Sequence, residues 1–331
     1  MPDYVWGFRK GRSSEDVLIK IFEEVRSHIE VQGNVALMIC LDIKKTYDSV
    51  FRYRISLALK KLGLGGPLLE ALDAFLPPGI LRARVNGRHT AKSGIKHSRG
   101  LMQGSLLSPK QWAVVFNIFE NIGLDPSDIK AIVADDGALV LLGKDMKTLA
   151  AKAGDLLKNI AARAETLGLS LCPKKTFVYQ FTSEKISAPA PVSFQTEGNP
   201  RVVLEDKSYT GSEAKYLGAV LDRELNGDLH FKYLDKKLNK KWMVFRRLAG
   251  KYSGLPEKDL VHVYKVWTRS VLKYSASVFF FGRRHLKWLK SVQKKWLCTA
   301  TRTFSGSPLV GMESLTGVIP IDHFIAEAVI T

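Results

Sequence analysis

The feature that most constrains this chain is an unbroken apolar run, Val35 to Leu41, that ends directly in the aspartate Asp42. An apolar run of strand length without alternation is typical of a strand buried on both faces, which needs other elements packed above and below it. The run therefore predicts a layered fold of helices and strands. Asp42 is expected at the end of a central strand, where the core gives way to solvent.

The segments around this strand follow a regular order. Apolar periodicity and capping signals predict helices at 13–32, 49–62, from Pro67, 105–122 and 145–167, and strands at 129–134, 138–142 and 170–181. Asn86-Gly87 predicts a tight hairpin turn within 81–95. Strand, helix, strand-turn-strand, helix, strand is the split βαβ arrangement, so we expect an α+β fold with a ferredoxin-like core.

Positive charge is concentrated in the last third of the chain. A proline-rich loop at 183–200 and a short strand at 216–221 precede a change to long helical patterns, which predicts a domain boundary near residue 228. Residues 229–297 carry 18 lysines and arginines against three acids, with aromatic residues interleaved, in a chain of net charge +18. This pattern predicts a helical core with a basic face, which suits a nucleic-acid partner.

Composition narrows the class of protein. A chain of 331 residues, 46% hydrophobic and 25% charged, is globular, with about two domains. Cys40, Cys172 and Cys298 form no CxxC pair, so neither a disulfide framework nor a zinc site is predicted. No apolar run approaches the ~20 residues of a membrane span. We expect an intracellular protein, nuclear or cytoplasmic, without a membrane partner.

Asp42 and the pair Asp135-Asp136 are the candidate catalytic residues. If their strands are neighbours, three carboxylates converge at one sheet edge, which is costly unless cations neutralise them. Oxygen ligands favour Mg²⁺ or Mn²⁺, and two such ions are an apparatus for in-line displacement at phosphorus. Each acid has a structural alternative, because Asp-Asp-Gly is a good turn sequence and Asp42 can cap the strand or the next helix.

Three segments in order carry a family resemblance. LDIKKTYDSV at 41–50, RGLMQGSLLSP at 99–109 and VADD at 133–136 resemble successive motifs of reverse transcriptases, most closely those of non-LTR, LINE-type retrotransposons. GFRKGRS at 7–13, Gly168-Leu169, Lys174-Lys175-Thr176 and Tyr216-Leu217-Gly218 extend the match, which runs from about residue 6 to 222. Residues 292–295 and 317–320 resemble the region that follows the polymerase in such elements.

The resemblance implies a right-hand polymerase. Its parts are a residual fingers segment at 1–33, a palm at 34–228, a basic helical thumb at 229–305 and a C-terminal tail at 306–331. The implied activity is that of an RNA-directed DNA polymerase, a nucleotidyltransferase that uses two Mg²⁺ ions, or Mn²⁺, to copy an RNA template from a DNA primer with dNTPs.

The same resemblance assigns roles to individual residues. Asp42, Asp135 and Asp136 match the metal ligands, assisted by the carbonyl of Ile43, and Lys175 matches a lysine that protonates or neutralises the leaving pyrophosphate. Tyr47 matches a steric gate against the ribose 2′-OH, although its pattern fits a core tyrosine equally well. Gln103, Gly104 and Ser105 match the segment against nucleotide and template, which a helix start would also explain. Arg9, Arg12, Tyr216, Leu217 and Gly218 are assigned to primer and template.

The chain also departs from the family pattern. Thr46, Met102 and Val133 replace residues that are common at their positions, although none is an expected metal ligand. The first fingers strands, which hold the triphosphate, are expected before Gly7, so we predict a fragment of a larger polyprotein. The alternatives are a catalytically inactive nucleic-acid-binding remnant and, less favoured, another two-metal phosphoryl-transfer enzyme such as a nucleotide cyclase.

Overall fold

A computed structural model describes residues 3–44, 46–74, 79–81, 84–89, 95–97, 99–115, 119–183, 191–196, 200–210, 213–250, 254–274, 276–279 and 283–330. The chain divides into two compact units. The first contains Met1–Val17 and Glu24–Ser212, and the second contains Leu18–Glu23 and Glu213–Thr331. The division near residue 212 precedes the boundary near 228 that the sequence predicts.

The chain up to residue 210 mixes helices and strands. In order, these are α1 (Ser14–Ile29), β1 (Val35–Asp42), α2 (Thr46–Ser49), α3 (Arg52–Lys61), α4 (Gly66–Ala74), β2 (Gly79–Leu81), β3 (Arg84–Val85), β4 (Arg88–His89), β5 (Ile95–His97), α5 (Ser108–Val115), β6 (Ile129–Val133), β7 (Asp136–Gly143), α6 (Met146–Thr166), β8 (Phe177–Thr182), β9 (Ser193–Phe194), β10 (Val202–Val203), β11 (Glu205–Asp206) and α7 (Lys207–Thr210).

The rest of the described chain is mainly helical. Its elements are the short strands β12 (Lys215–Tyr216) and β13 (Ala219–Val220), helices α8 (Asp228–Leu248) and α9 (Glu257–Tyr264), a π-helical turn (Lys265–Arg269), and helices α10 (Ser270–Lys273), α11 (Arg283–Thr301), α12 (Leu309–Thr316) and α13 (Ile321–Ile330).

The central sheet of the first unit confirms the predicted α+β fold. Its strand order is β11-β8-β1-β7-β6, and β1 pairs antiparallel with both β7 and β8. Without β11, this is the strand order of the split βαβ arrangement. Leu37, Ile39 and Leu41 belong to one hydrophobic core with the inner face of α6. Because successive strand residues alternate between faces, Asp42 points to the opposite side of the sheet.

The prediction of one continuous helix at 49–62 is wrong. Helix α2 ends at Ser49 and α3 begins at Arg52. Between them, Phe51 forms an isolated β-bridge with Arg99, and its N–H donates to the carbonyl of Leu167 at 2.9 Å. Helical periodicity cannot reveal this break, because its cause is pairing with residues distant in the sequence.

Two other predicted elements are longer than the observed ones. The helix expected at 105–122 runs from Ser108 to Val115, and residues 116–118 lie outside the described part. The strand expected at 170–181 begins only at Phe177. Before it the chain turns, since the N–H groups of Lys175 and Thr176 both donate to the carbonyl of Cys172, at 3.0 and 2.9 Å.

The short strand predicted at 216–221 is instead a hairpin. Strands β12 and β13 pair antiparallel, and Leu217 and Gly218 turn between them with φ of 45° and 82°. The turn predicted at Asn86-Gly87 is confirmed, with β3 and β4 paired on either side, although 82–83 and 90–94 lie outside the described residues. Of the proline-rich loop, 184–190 and 197–199 lie outside the described residues, and β9 pairs with β10.

The second unit has its own helical core. Phe245, Tyr264 and Trp296 are buried in it, as the interleaved aromatic residues predicted. Met312 and Ile321, within the segment predicted as a C-terminal tail, also pack into this core. No single helix in the described part of the chain is long and apolar enough to span a membrane. The bent pair α12 and Ile321–Glu327, at 63°, reaches that length and composition only together.

Candidate active site

The site is built on two neighbouring strand ends. In the antiparallel pair of β1 and β7, Asp42 is directly opposite Asp136, and Asp135 precedes it in the turn from β6. Directly opposite residues in such a pair share one face of the sheet, with Cβ atoms about 4.5–5.5 Å apart. The convergence of acids that the sequence predicts is therefore produced by strand register.

The acids of the site also influence one another electrostatically. Burial raises the pKa of Asp136, and the negative charges of Asp135 and Asp42 raise it further. The positive charge of Lys175 acts in the opposite direction. Nζ of Lys175 lies 3.3 Å from Oδ2 of Asp42, and this contact raises the pKa of the lysine. The carboxylates thus repel one another, and a protein ammonium group neutralises part of their charge.

Lys175 is brought to Asp42 by the turn that precedes β8. The carbonyl of Asp42 accepts a hydrogen bond from the N–H of Cys172 at 2.8 Å, and the N–H of Asp42 donates to Oγ1 of Thr176 at 3.2 Å. Ile43 forms a β-bridge with Leu171. Lys175 therefore projects from a turn that is tied to the strand end carrying Asp42.

The donor set suits a hard divalent cation. Three carboxylates offer oxygen ligands, and their mutual repulsion favours a bound positive charge. In the conformations observed, however, the described residues contain no group of three or more His, Cys, Asp or Glu side chains arranged to hold a metal ion. Asp42 pairs with Lys175 instead.

Tyr47 lies beside this cluster. It belongs to α2, and its ring stacks on the fully buried indole of Trp112, with centroids 5.4 Å apart and planes 30° apart. Burial and the charge of Asp135 raise the pKa of the Tyr47 hydroxyl. Its ring is half-buried rather than a core side chain. Lys45, in the same motif, lies outside the described residues.

The segment Gln103-Gly104-Ser105 is joined to the same helix. Nε2 of Gln103 donates to Oδ1 of Asp48 at 3.1 Å, one residue after Tyr47. Gly104 has φ of +87°, and a Cβ added there would meet no atom within 4 Å. Oγ of Ser105 accepts from the N–H of Leu107 at 3.2 Å. The segment presents an open backbone surface on the side of the site that carries Tyr47.

Gly100 fixes the approach of this segment to α2. Its φ is +77°, and a Cβ there would lie 2.6 Å from the carbonyl oxygen of Tyr47. The N–H of Leu101 donates to that same oxygen at 2.7 Å. A residue with a side chain would force the backbone of Tyr47 or Asp48 to shift, so this contact favours glycine.

Arg9 and Arg12 form a separate group near the start of the chain. Both approach Oδ1 of Asp3, at 3.8 and 3.0 Å, and the guanidinium of Arg12 lies over the ring of Trp6 at 4.6 Å. None of these contacts of the two arginines is with Asp42, Asp135 or Asp136. They stay candidates for nucleic-acid contact.

Tyr216, Leu217 and Gly218 belong to the second unit. Tyr216 is buried, and the hydroxyl of Tyr274 donates to the carbonyl of Leu217. The turn is thereby tied to the helical part of its own unit.

Sequence reasoning missed two residues that shape the site. Trp112 contacts Tyr47 and also donates from Nε1 to the carbonyl of Ala134 at 2.9 Å, immediately before Asp135. Its only sequence signal is a place on the apolar face of a predicted helix. The spacing of Gly100 from the Gln103 motif was visible, but its contact with Tyr47 required the tertiary fold.

Comparison with known families agrees with this geometry. A family model described as reverse transcriptase (RNA-dependent DNA polymerase) matches residues 1–221. That match covers well over half of the chain, so the chain belongs to the reverse transcriptase family. Members of this family use divalent metal ions and bind RNA and DNA.

Individual relatives carry the names of mobile elements. The chain is 25% identical over 275 residues to a probable RNA-directed DNA polymerase from transposon BS of Drosophila melanogaster, covering 80% of this chain and 29% of the relative. It is 21% identical over 297 residues to that of the X-element of the same species, covering 89% and 31%. A Pol polyprotein from the type-1 retrotransposable element R1 4 of Nasonia vitripennis is 25% identical over 197 residues, covering 57% and 50%. The chain thus spans half or less of the length of these relatives.

Solved structures similar to this chain include telomerase from Candida albicans in complex with a fragment of telomeric RNA. The identity is 15% and the TM-score 0.44, over 98% of this chain and 53% of the telomerase. A telomerase from Candida tropicalis gives the same identity and TM-score, over 98% and 51%.

Proposed function

We propose that this chain carries the polymerase site of a non-LTR retrotransposon, an RNA-directed DNA polymerase that copies an RNA template into DNA. The observation that supports it most directly is the register that sets Asp42 opposite Asp136, with Asp135 adjacent, on a split βαβ sheet. Membership of the reverse transcriptase family makes nucleotidyl transfer the chemistry for which such a cluster is used.

Asp42, Asp135 and Asp136 would hold two Mg²⁺ ions, or Mn²⁺, with help from the carbonyl of Ile43. When bound, the ions supply charge neutralisation at the reacting phosphate and lower the pKa of the attacking hydroxyl. The three carboxylates contribute by fixing where that positive charge lies. Burial, and then the charges of Asp135 and Asp42, raise the pKa of Asp136, so a bound positive charge would be favourable there.

Lys175 would act both in the ion-free site and in the site that holds metal ions. Its ammonium neutralises Asp42 in the structure described, at 3.3 Å. With Asp42 engaged in holding an ion, Lys175 would be free to face the substrate. There it would donate a proton to the departing pyrophosphate or neutralise it.

Tyr47 and Gln103-Gly104-Ser105 would form the nucleotide pocket. The ring of Tyr47 is held beside Asp135 by Trp112, where it would clash with a 2′-hydroxyl and so favour dNTPs. The open backbone at Gly104 would allow close approach of nucleotide and template. The bond from Gln103 to Asp48 keeps this segment against the helix that carries Tyr47.

Template and primer would contact the basic parts of the chain. Arg9 and Arg12 supply positive charge in the first unit, and the turn at Tyr216-Leu217-Gly218 and the basic helices supply contacts in the second. The division into fingers, palm, thumb and tail is a prediction from the sequence. The nuclear or cytoplasmic location is a prediction as well.

A second candidate is a nucleic-acid-binding remnant without catalysis. The ion pair of Asp42 with Lys175 favours it, because one of the three expected metal ligands is already engaged. This candidate predicts salt-dependent binding of RNA and DNA without any incorporation of nucleotides.

Primer extension on an RNA template with Mg²⁺ tests these candidates. We expect dNTP incorporation by the wild-type chain, and a loss of roughly 10²-fold or more in Asp135→Asn, because a charge-stabilising ligand is removed. Asp155→Asn, an exposed change on the outer face of α6, is the matched control and should keep wild-type activity. Binding without incorporation supports the remnant. A cyclic product from a nucleotide alone, without template, indicates a cyclase.

A further inference from the structure

We propose that Trp112 is a positioning residue that couples the Asp135-Asp136 turn to Tyr47 through two different parts of one indole ring. The inference rests on the proposed polymerase function. It adds a residue that contacts neither nucleotide nor ion but determines where the groups that do so are held.

The edge of the indole holds the acidic turn. Nε1 of Trp112 donates to the carbonyl of Ala134 at 2.9 Å, and Ala134 is the residue before Asp135. Ala134 has φ of +55°, a left-handed conformation that is strained for a residue with a side chain. A hydrogen bond from a buried donor helps to keep the backbone in this conformation.

Residues near the start of the chain also contact this turn. Val5 forms a parallel β-bridge with Ile132, and Gly7 lies so close that a Cβ there would be 2.5 Å from the backbone N of Ala134. The turn is therefore held by two contacts, one to Gly7 and one to Trp112, which together form a clamp. Since one side of the clamp is backbone, the indole N–H is the part that a side-chain substitution can release.

The face of the indole holds the proposed steric gate. Its centroid is 5.4 Å from that of Tyr47, with planes 30° apart, so the two rings are stacked. Tyr47 lies on the short helix α2, which by itself restrains the ring little. Stacking on a fully buried ring restricts the directions in which the tyrosine can point.

An ordinary core tryptophan in the same chain provides the contrast. Trp296 is equally buried, and its ring packs on Phe245 with centroids 4.6 Å apart, inside the helical core of the second unit. Both tryptophans fill a core, but only the contacts of Trp112 lead to residues of the proposed site. If Trp112 positions the site, substitution by Phe must affect catalysis at Trp112 and not at Trp296.

Trp112→Phe tests the hydrogen bond apart from the ring stacking, because it keeps an aromatic ring and deletes the N–H donor. We expect kcat for dNTP incorporation to fall by roughly 3- to 10-fold, the range for one hydrogen bond. The affinity for Mn²⁺ alone, measured by calorimetry without substrate, should fall by a similar factor. KM for dNTP and the dNTP/rNTP preference should change by less than about 2-fold.

Trp112→Leu removes the aromatic ring, and with it the stacking on Tyr47, as well as the N–H donor. In that variant we expect the dNTP/rNTP preference to fall by roughly 10-fold further, because Tyr47 loses its stacking partner. Trp296→Phe is the control for lost core packing. It should lower thermal stability comparably to Trp112→Phe while leaving kcat, the Mn²⁺ affinity and the nucleotide preference unchanged.

The outcomes distinguish failure of the positioning role of Trp112 from failure of the proposed polymerase function. If the wild-type chain incorporates nucleotides but Trp112→Phe matches Trp296→Phe in kcat and Mn²⁺ affinity, the positioning role is overturned and the polymerase function stands. If the wild-type chain incorporates nothing, the function fails as stated. The Mn²⁺ titration then decides on Trp112, because weakened binding supports the clamp and unchanged binding overturns it.

Discussion

The ammonium group of Lys175 lies 3.3 Å from the carboxylate of Asp42, so a protein cation stands where a metal ion would compete for the same oxygen. The contact is made by a lysine with a largely exposed side chain, 71% accessible, and by an aspartate that is 28% accessible. Such a pair is weak enough to exchange, because solvent screens it. Under the proposed function, Lys175 would be both a competitor of the ion and a reserve of positive charge for the leaving group.

Replacing Lys175 should therefore have two opposite effects. In Lys175→Ala we expect the affinity for Mn²⁺ to rise by roughly 2- to 5-fold, because the competing ammonium is gone. The rate of incorporation should fall by roughly 10²-fold, the typical contribution of a general acid. Calorimetry and single-turnover primer extension measure the two quantities. Lys174→Ala, next to it in the sequence, should change neither, and an equal loss of rate in both variants would contradict the role of Lys175.

Tyr47 should control the choice of sugar. Tyr47→Val removes the ring and should raise rNTP incorporation relative to dNTP incorporation by roughly 10- to 100-fold, since the clash with the 2′-hydroxyl is lost. Tyr47→Phe keeps the ring and should keep the preference. Competition between dCTP and CTP in primer extension measures the ratio. An unchanged ratio in Tyr47→Val would show that the ring is only a packing element.

Two glycines near the site offer a matched comparison of stability. Gly100 and Gly104 both have positive φ, but an added Cβ would clash with the backbone of Tyr47 and Asp48 at Gly100 and would meet open space at Gly104. We expect Gly104→Ala to lower the free energy of unfolding by about 1 kcal/mol, from backbone strain alone. Gly100→Ala should cost roughly 2–4 kcal/mol, because overpacking is added.

Urea denaturation in the presence of EDTA gives both values. Equal losses in the two variants would mean that the contact between Gly100 and the Tyr47 carbonyl relaxes without cost.

His230 should make the stability of the helical unit depend on pH. Its Nδ1 accepts a hydrogen bond from the N–H of Val220 at 3.2 Å, and burial, with a smaller effect of the Lys237 charge, lowers its pKa to about 4. In the unfolded chain a histidine titrates near 6.5, so between pH 6.5 and 4 the unfolded state binds the extra proton. The free energy of unfolding should fall as pH falls, by roughly 2 kcal/mol from pH 7 to pH 5.

His230→Phe should remove this pH dependence, whatever its effect at pH 7. The exposed His262 provides the control, because His262→Phe should keep the wild-type difference between pH 7 and pH 5. Urea midpoints at the two pH values measure the difference. A slope that persists in His230→Phe would assign the pH dependence to other groups.

Much of the fold was predictable because its signals are local. The capping box of Ser13 and Asp16 confirms the predicted start of α1, and Asp145 caps α6 where periodicity predicted that helix. The break at Phe51 and the late start of β8 were not predictable. The break depends on the hydrogen bond from Phe51 to Leu167, and the turn before β8 is tied to the distant Asp42 by hydrogen bonds with Cys172 and Thr176.

The site divides in the same way. The amino-acid sequence alone determined that Asp42 ends a buried strand and that Asp135 and Asp136 stand at a turn, because apolar runs and turn residues act over a few neighbours. Only the tertiary structure decided that Asp42 faces Asp136, that Lys175 reaches Asp42, and that Trp112 contacts both Ala134 and Tyr47. These relationships arise from strand register and from packing between elements, and no local pattern along the chain encodes the distance between two side chains that meet across a sheet.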